Sequence, residues 1–533
     1  MTRPRPPQQR RSESARVAAL ALMAAAAIGA PACSGDDPIF IGAAEVSMVF
    51  IAPTGHDAAP GTREEPWRTF KHALPALRPG MTLVLLDGTY DRGSSGYVDL
   101  TCGVDVVGGT ADKPITIKAD HERAAFLSGD AGGPPFSITG CSHFVFEGLR
   151  AESSDFADAP QTPDGGSLFV LGTDNHDITL RRLLGRHTNR FRHAHGLRIG
   201  DGSTDVLVEE CEIYDFHHNA FETSRSTAVV FRRNYLNARD TVDIPGGYVS
   251  EDPTRGDYGF FLEETRFSIV ENNIVESVHD GIGIVGRYAG LPADMPPPVD
   301  DPIDGNKLLG NVILRPARSG VYIDSRCLNE TPCVDRARVV VGTELGDNVV
   351  VGGTAGVQSA GAVGTRINQL TVIGAAAGVL MARDPPNAGV AATSTTTNAL
   401  AVGFTQAGFQ STGEDQWSFD HCATFGGTGG AAFVPDDARV TNPLVVDPAL
   451  GGCLVYLPPA SPLRGAGAAG TNVGANIVRR YENGLLTTAP LWDPTTHAFP
   501  CGAAIAGVSD DPTTACAGVN VRLQVGTSTC PAP

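Results

Sequence analysis

The chain has 533 residues, with 63 Gly, 38 Pro, charged residues at 19% and a formal net charge of −19. That acidity excludes a nucleic-acid binder, which needs a basic footprint, and the Gly and Pro content suits many short strands joined by turns. Beyond the first thirty residues, no stretch is apolar for the length that a membrane-spanning helix requires.

Arg3, Arg5, Arg10, Arg11 and Arg16 surround and precede an Ala-rich apolar run at 17–30, which leads into Ala30-Pro31-Ala32-Cys33. A basic region, an apolar run and small residues before a cut site mark an export signal, so residues 1–32 are expected to be a signal peptide. The cysteine at the cut site resembles that of a bacterial lipoprotein signal. This implies a lipid on Cys33, a tether over 33–48, and attachment to a membrane only through that anchor. Ordinary cleavage near Ala32 is the alternative, and either way the protein is expected at the outer membrane, at the cell surface or secreted. Removing residues 1–32 takes away five Arg and one Glu and leaves 35 basic and 58 acidic side chains, net −23. A local cleft can oppose that net charge and still hold an acidic polysaccharide, and the acidity favours a bound divalent cation.

A strand is predicted from Val49. It leads into Gly55-His56-Asp57-Ala58-Ala59-Pro60-Gly61-Thr62 and then Pro66-Trp67-Arg68-Thr69-Phe70-Lys71-His72-Ala73-Leu74. Phe70, Leu74 and Leu77 fall at helical spacing, but Pro75 interrupts, so the helix is short. Thr82-Leu83-Val84-Leu85-Leu86-Asp87-Gly88-Thr89-Tyr90 reads as a strand and a turn. This block resembles the opening of bacterial right-handed parallel β-helix proteins of the pectate-lyase-like group. The resemblance implies an all-β solenoid whose first coil is covered by an amphipathic helix, since an open apolar end needs a cap.

From Asp99 strands follow closely, among them Val104-Asp105-Val106-Val107, Ile115-Thr116-Ile117 and Phe144-Val145-Phe146. A phrase then recurs: His195-Gly196-Leu197-Arg198-Ile199, Asn219-Ala220-Phe221-Glu222-Thr223, Tyr258-Gly259-Phe260-Phe261-Leu262 and Asp280-Gly281-Ile282-Gly283-Ile284. Its small residue returns at Gly196, Ala220, Gly259, Gly281, Gly320, Gly356, Gly378 and Gly408, with gaps of 24, 39, 22, 39, 36, 22 and 30 residues. The shortest gap fits one turn of a β-helix, and the longer ones add loops such as 245–255, 289–305 and 327–333. About ten coils at ~4.8 Å would stack over roughly 50 Å. A second register carries Asn234, Asn273, Asn311 and Asn348, spaced 39, 38 and 37 apart, with Asn398 continuing the series. Stacked amides at one corner can hydrogen-bond along the solenoid. The domain reading is a β-helix with its N-terminal cap over 49–435 and a C-terminal cap with a Cys-rich tail over 436–533.

Setting Cys33 aside, ten cysteines remain, an even number that favours disulfides in an exported protein. Cys327 and Cys333 bracket a short loop and are the expected pair. Cys501, Cys516 and Cys530 make the tail disulfide-rich, and Cys211, inside an apolar strand pattern, is expected to be a buried free thiol. No Cys/His spacing suggests a structural zinc site.

If the phrases stack, Arg198, Glu222, Phe261, Gly283 and Tyr322 point out along one face. His195, Asn219, Tyr258 and Asp280 stand at the strand entries, with Ala194, His218, Asp257 and His279 one step earlier. Such a face has Arg and His to meet a carboxylate, Asp and Glu to hold a cation, and aromatic rings to stack on sugar. The catalytic candidates are therefore His195, Arg198, His218, Glu222, Asp257, His279 and Asp280, although a solvated or turn role suits any single histidine equally well. The resembled group includes enzymes that cleave uronate-containing glycan by β-elimination. That reaction needs the uronate carboxylate neutralised and a base for the neighbouring proton. Lysine suits the base, and only Lys71, Lys113, Lys118 and Lys307 exist. Lys307 follows Asp300, Asp301 and Asp304, an oxygen-rich loop suited to calcium. The pairing resembles that of calcium-dependent β-helix lyases, and exposed acidic surface is the alternative. His218 or His279 is a second choice of base. The Gly-His-Gly and Arg-Ile-Lys signatures of β-helix polygalacturonases are absent from the coil region. The expected function is a monomeric polysaccharide-binding β-helix that cleaves by elimination, with a non-catalytic surface-binding protein as the alternative.

Overall fold

In the computed structural model the described residues are 47–490, less 131–132, 154–165, 189–193, 239–256, 287–301, 326–338, 383–393, 413–416, 435, 451–456, 458–459 and 478. Cys33, His193, Asp300, Asp301, Cys327, Cys333, Cys453 and the cysteines beyond residue 490 lie outside them. No helix among the described residues is long and apolar enough to cross a membrane.

The chain winds through three parallel sheets in turn, with fourteen, thirteen and twelve strands among the described residues. Every coil visits the first, second and third sheet and returns one step further along, which is a parallel β-helix. The winding is right-handed, the hand that right-twisted strands strongly favour. The recurring phrase is the third-sheet strand of successive coils. Its first apolar residue lines up from coil to coil as Leu197, Phe221, Phe260, Ile282, Val321, Val357, Val379, Phe409 and Phe433. These side chains are buried and fill the interior, where Phe221 stacks on Phe231 and both meet the Phe260 ring at an angle. Each phrase-to-phrase gap is one coil, and the long gaps carry their extra residues in the connections on either side of the third sheet. The coils outnumber the phrases because the first ones enter the third sheet without the small residue, as at Val98, Phe136 and Phe169.

The small residue of the phrase has a steric cause. A Cβ added at Gly259 would lie 2.4 Å from Val275 Cγ1, inside the coil, and 2.7 Å from the carbonyl oxygen of Gly281 on the next coil. Gly281, Gly320, Gly356 and Gly378 meet the same two obstacles.

Between the first and second sheets each coil turns through a residue in the left-handed region, among them Arg182, Glu210, Arg233, Asn272, Asp347 and Asn398. The amide ladder stands one residue later. Asn234 Nδ2 donates to Asn273 Oδ1 at 2.9 Å, Asn273 Nδ2 to Asn311 Oδ1 at 3.0 Å, and Asn311 Nδ2 to Asn348 Oδ1 at 3.0 Å. Each oxygen also accepts the backbone N–H of the preceding ladder residue. Asn398 does not extend this ladder. It occupies the left-handed corner itself (φ 56°), a conformation that asparagine tolerates better than most residues, and Ala399 takes the ladder position.

At the N-terminus the short helix Phe70–Ala73 is capped by Thr69, whose side chain accepts from the His72 N–H. The helix and the 3-10 turn Leu74–Ala76 that follows it bury Phe70, Leu74 and Leu77 in the core. The strand expected over 104–107 is a turn instead. Asp105 Oδ2 accepts the Thr101 N–H and leaves Val104 and Val107 exposed. Beside that turn Cys102 is bonded to Cys141, a pair of neighbouring coils whose Cα atoms are 4.9 Å apart but whose sequence separation is 39. Cys211 is a buried free thiol, as its strand pattern implies, and so is Cys422.

After the last coil the chain doubles back across the outside of the stack. The Gly474 N–H donates to the Asn398 carbonyl, the Ala475 N–H to Thr371 Oγ1 and the Asn476 N–H to Asp347 Oδ1. Tyr481 then reaches Asp347 with its hydroxyl and Asn272 with its N–H, and Glu482 pairs with Arg232 and Arg233. The described part of the C-terminal segment is thus a strap over successive coils as well as a cover for the last ones.

Candidate functional site

The seven catalytic candidates all fall on the third sheet or at its entry, on four consecutive coils. His195 and Arg198 belong to the coil of Leu197–Ile199, His218 and Glu222 to that of Asn219–Ser224, Asp257 to that of Tyr258–Glu263, and His279 and Asp280 to that of Asp280–Val285. The register pairs Asn219 with Tyr258 and Tyr258 with Asp280, so His218, Asp257 and His279 stack as a column one residue earlier. Main-chain bonds run along this column from the Asp257 N–H to the His218 carbonyl and from the Asp280 N–H to the Asp257 carbonyl.

Two clusters result. In the first, Glu222 is buried and its Oε2 accepts from Asn219 Nδ2 at 2.7 Å. The same oxygen lies 3.4 Å from His195 Nδ1 and 3.9 Å from His218 Nδ1, while Oε1 lies 3.6 Å from Arg198 Nε. The two imidazoles meet edge to face at 5.0 Å, and His218 Nε2 is 3.4 Å from Asp257 Oδ2.

In the second cluster Asp280 is fully buried and gathers donors. Its Oδ1 accepts the Ser319 N–H and Arg318 Nε, both at 3.0 Å, and its Oδ2 lies 2.6 Å from Arg318 Nη2 and 3.0 Å from His279 Nδ1. The hydrogen bond to this carboxylate, reinforced by its charge and opposed by burial, holds the His279 pKa above the ordinary imidazole value. Burial works against the charge of Arg318, but the hydrogen bond and charge of Asp280 outweigh it and raise that pKa also. Arg318 Nη2 donates to the Tyr258 hydroxyl at 3.3 Å, and its guanidinium lies 4.4 Å over the Tyr322 ring. Phe261 and Tyr322 face outward yet are almost wholly covered, packing with Val285 and Tyr258 into an apolar patch beside the charged groups.

Arg318 is the residue that the sequence reading left out. The signal was present: Ser319 pairs with Asp280, so Arg318 is the next member of the column His218, Asp257, His279. Lys307 is not brought to this face. It lies on the first sheet, paired with Glu344 at 3.3 Å. Of the acidic loop only Asp304 is described, in a two-residue pairing with Val341, so the calcium expectation falls largely outside the described residues.

Fold and face together define a right-handed parallel β-helix protein with a cluster of histidines and carboxylates on its third sheet. Residues 53–135 match a family described as "Protein of unknown function (DUF1565)". An uncharacterized protein of Bacillus subtilis (strain 168), YwoF, is 26% identical over 135 residues, 24% of this chain and 26% of that protein, so the match spans about a quarter of the relative's length. Among solved structures the chain is similar to a rhamnogalacturonan lyase (14% identity, TM-score 0.45, covering 61% of this chain and 82% of that one). It is also similar to XylC in complex with xylose (11%, TM-score 0.48, 76% and 87%). A third is the catalytic unit of a GH87 α-1,3-glucanase from Streptomyces thermodiastaticus (15%, TM-score 0.44, 71% and 64%).

Proposed function

We propose that the protein binds an acidic, uronate-containing polysaccharide along its third sheet and cleaves it by β-elimination. The observation that carries this reading is the unit made by His279, Asp280, Arg318 and Tyr258. With its Nδ1–H donating a hydrogen bond to Asp280 Oδ2, His279 has Nε2 as the nitrogen that can accept a proton. The imidazole side chain is 41% exposed, so a sugar can reach it. The Arg318 guanidinium, half-buried beside it, supplies a fixed positive charge for a uronate carboxylate, and neutralising that carboxylate acidifies the proton at C5.

In the elimination His279 Nε2 takes the C5 proton. The electrons of the broken C5–H bond form the C4–C5 double bond, and the C4–O bond breaks. Tyr258 donates its hydroxyl proton to the departing glycosidic oxygen, and the proton on His279 returns to the tyrosinate through solvent. The net change is one proton moved from C5 to oxygen, with no oxidant and no added water. Hydrolysis fits less well, because it asks for two carboxylic groups flanking the bond. Asp280 is committed to three donor groups, and Glu222 is buried among two histidines and Asn219. The expected export signal would carry the protein to where such glycans occur.

The test is ultraviolet absorbance of unsaturated product from pectate, alginate and glycosaminoglycan incubated with the full chain, with and without EDTA. Product from any one supports elimination. Retention of a glycan without product from any would refute cleavage of these substrates and leave the binding-only alternative.

A further inference from the structure

The geometry points to a second function for the upper part of this face: a site for one zinc-class divalent ion, held by His195 Nδ1, His218 Nδ1 and the Glu222 carboxylate. The three residues come from two consecutive coils, and their ligand atoms lie within 4.8 Å of one another. Both imidazole Nδ1 atoms approach a single oxygen, Glu222 Oε2, at 3.4 and 3.9 Å. Ligands bonded to zinc at about 2.0–2.1 Å in a tetrahedron stand roughly 3.3 Å apart, so the 3.4 Å contact already has that spacing and the rest of the shell closes by side-chain rotation of up to about an ångström. Two imidazoles and one carboxylate suit zinc and its first-row neighbours, whereas calcium prefers oxygen throughout. Three protein ligands leave a fourth position for water or an anionic group of a bound molecule.

The surroundings are those of a supported metal site. His218 turns its other nitrogen, Nε2, to Asp257 Oδ2 at 3.4 Å, the carboxylate–histidine pairing that orients metal ligands and raises their basicity. Asn219 Nδ2 fixes Glu222 from the side at 2.7 Å, and Arg198 stands at the opposite carboxylate oxygen, outside the triad. His195 and Glu222 are almost fully buried. Two other groups of this kind exist among the described residues, and each lacks these features. Asp87, Asp120 and His121 share their carboxylate Asp120 with Arg63, which forms a two-pronged ion pair there. In the group of His143, His176 and Asp177, the last two are about half exposed to solvent.

The inference does not rest on elimination, because metal binding is read without substrate. The full chain, stripped with a chelator, is titrated with Co2+ and then competed with Zn2+, following visible absorption and bound metal per chain. One Co2+ per chain with tetrahedral-type visible bands, displaced by Zn2+, is expected. His195→Gln and His218→Gln should each abolish the bands with far-ultraviolet circular dichroism unchanged. Asp257→Asn, at a half-exposed position that folding should tolerate, should weaken binding about 10- to 100-fold. His176→Gln should change nothing. Failure of the wild-type chain to take up Co2+, an undiminished complex in folded His218→Gln, or loss of the complex in His176→Gln would each overturn the assignment. A chain that binds metal here and cleaves none of the three glycans would refute the lyase reading for those substrates and leave this one standing.

Discussion

Asn273 is the middle of the amide ladder, and replacing it with alanine separates a ladder from a set of independent hydrogen bonds. Its Oδ1 accepts from the Asn234 N–H and from Asn234 Nδ2, both at 2.9 Å. Its Nδ2 donates to the Phe231 carbonyl and to Asn311 Oδ1, both at 3.0 Å. Asn234 Nδ2 keeps the Val208 carbonyl and Asn311 Oδ1 keeps the Asn273 N–H, so those two atoms are not stranded. The Asn234 N–H and one acceptor position on the Phe231 carbonyl are. All the residues concerned are buried. With each net hydrogen bond worth about 0.5–1.5 kcal/mol and a stranded buried polar group costing about 1–3 kcal/mol, Asn273→Ala should destabilise by about 3–5 kcal/mol. Asn348→Ala is the internal control, because Asn348 ends the ladder beside Leu370 and loses one bond fewer. Urea unfolding followed by circular dichroism should place Asn273→Ala below Asn348→Ala, and both below wild type. A loss under about 1 kcal/mol for Asn273→Ala would refute the ladder as a stabilising element.

Other outcomes follow from single contacts. If His279 is the base, kcat/KM rises with pH as it loses its proton, with an acid limb above the ordinary 6.5 because Asp280 raises it. His279→Gln should remove that limb and lower the rate about 10²- to 10⁴-fold, and a limb retained in the variant would exclude His279. The same raised pKa adds stability that is complete below 6.5 and is lost as pH climbs through the folded value. Replacing Cys102 and Cys141 with alanine opens a loop of 39 residues and should cost about 4 kcal/mol by chain entropy, read as a lowered denaturation midpoint. Gly259→Ala forces a methyl against Val275 and the Gly281 carbonyl and should cost about 1–3 kcal/mol in the same assay.

The solenoid was legible in the order of residues alone, because a coil repeats its chemistry. From Gly196 onward a small residue, an apolar residue and an outward residue recur where neighbouring coils touch on the third sheet, and the phrase at Gly196, Ala220, Gly259 and Gly281 records that contact. The asparagine ladder was legible for the same reason, since each amide needs the next at the same corner. Asn398 looked like a member because corner and ladder positions are adjacent, and only the backbone conformation tells them apart. The column of candidates could be aligned from sequence, but not what its members do to one another. Arg318 closing on Asp280, and two imidazoles converging on one Glu222 oxygen, depend on side-chain directions that spacing does not carry. The Cys102–Cys141 bond and the strap that sets Tyr481 against Asp347 were beyond reach as well. Both join segments by where the winding leaves them, and no local pattern encodes that distance. Local repetition specifies the stack, and the winding of the chain decides which charged groups meet on its face.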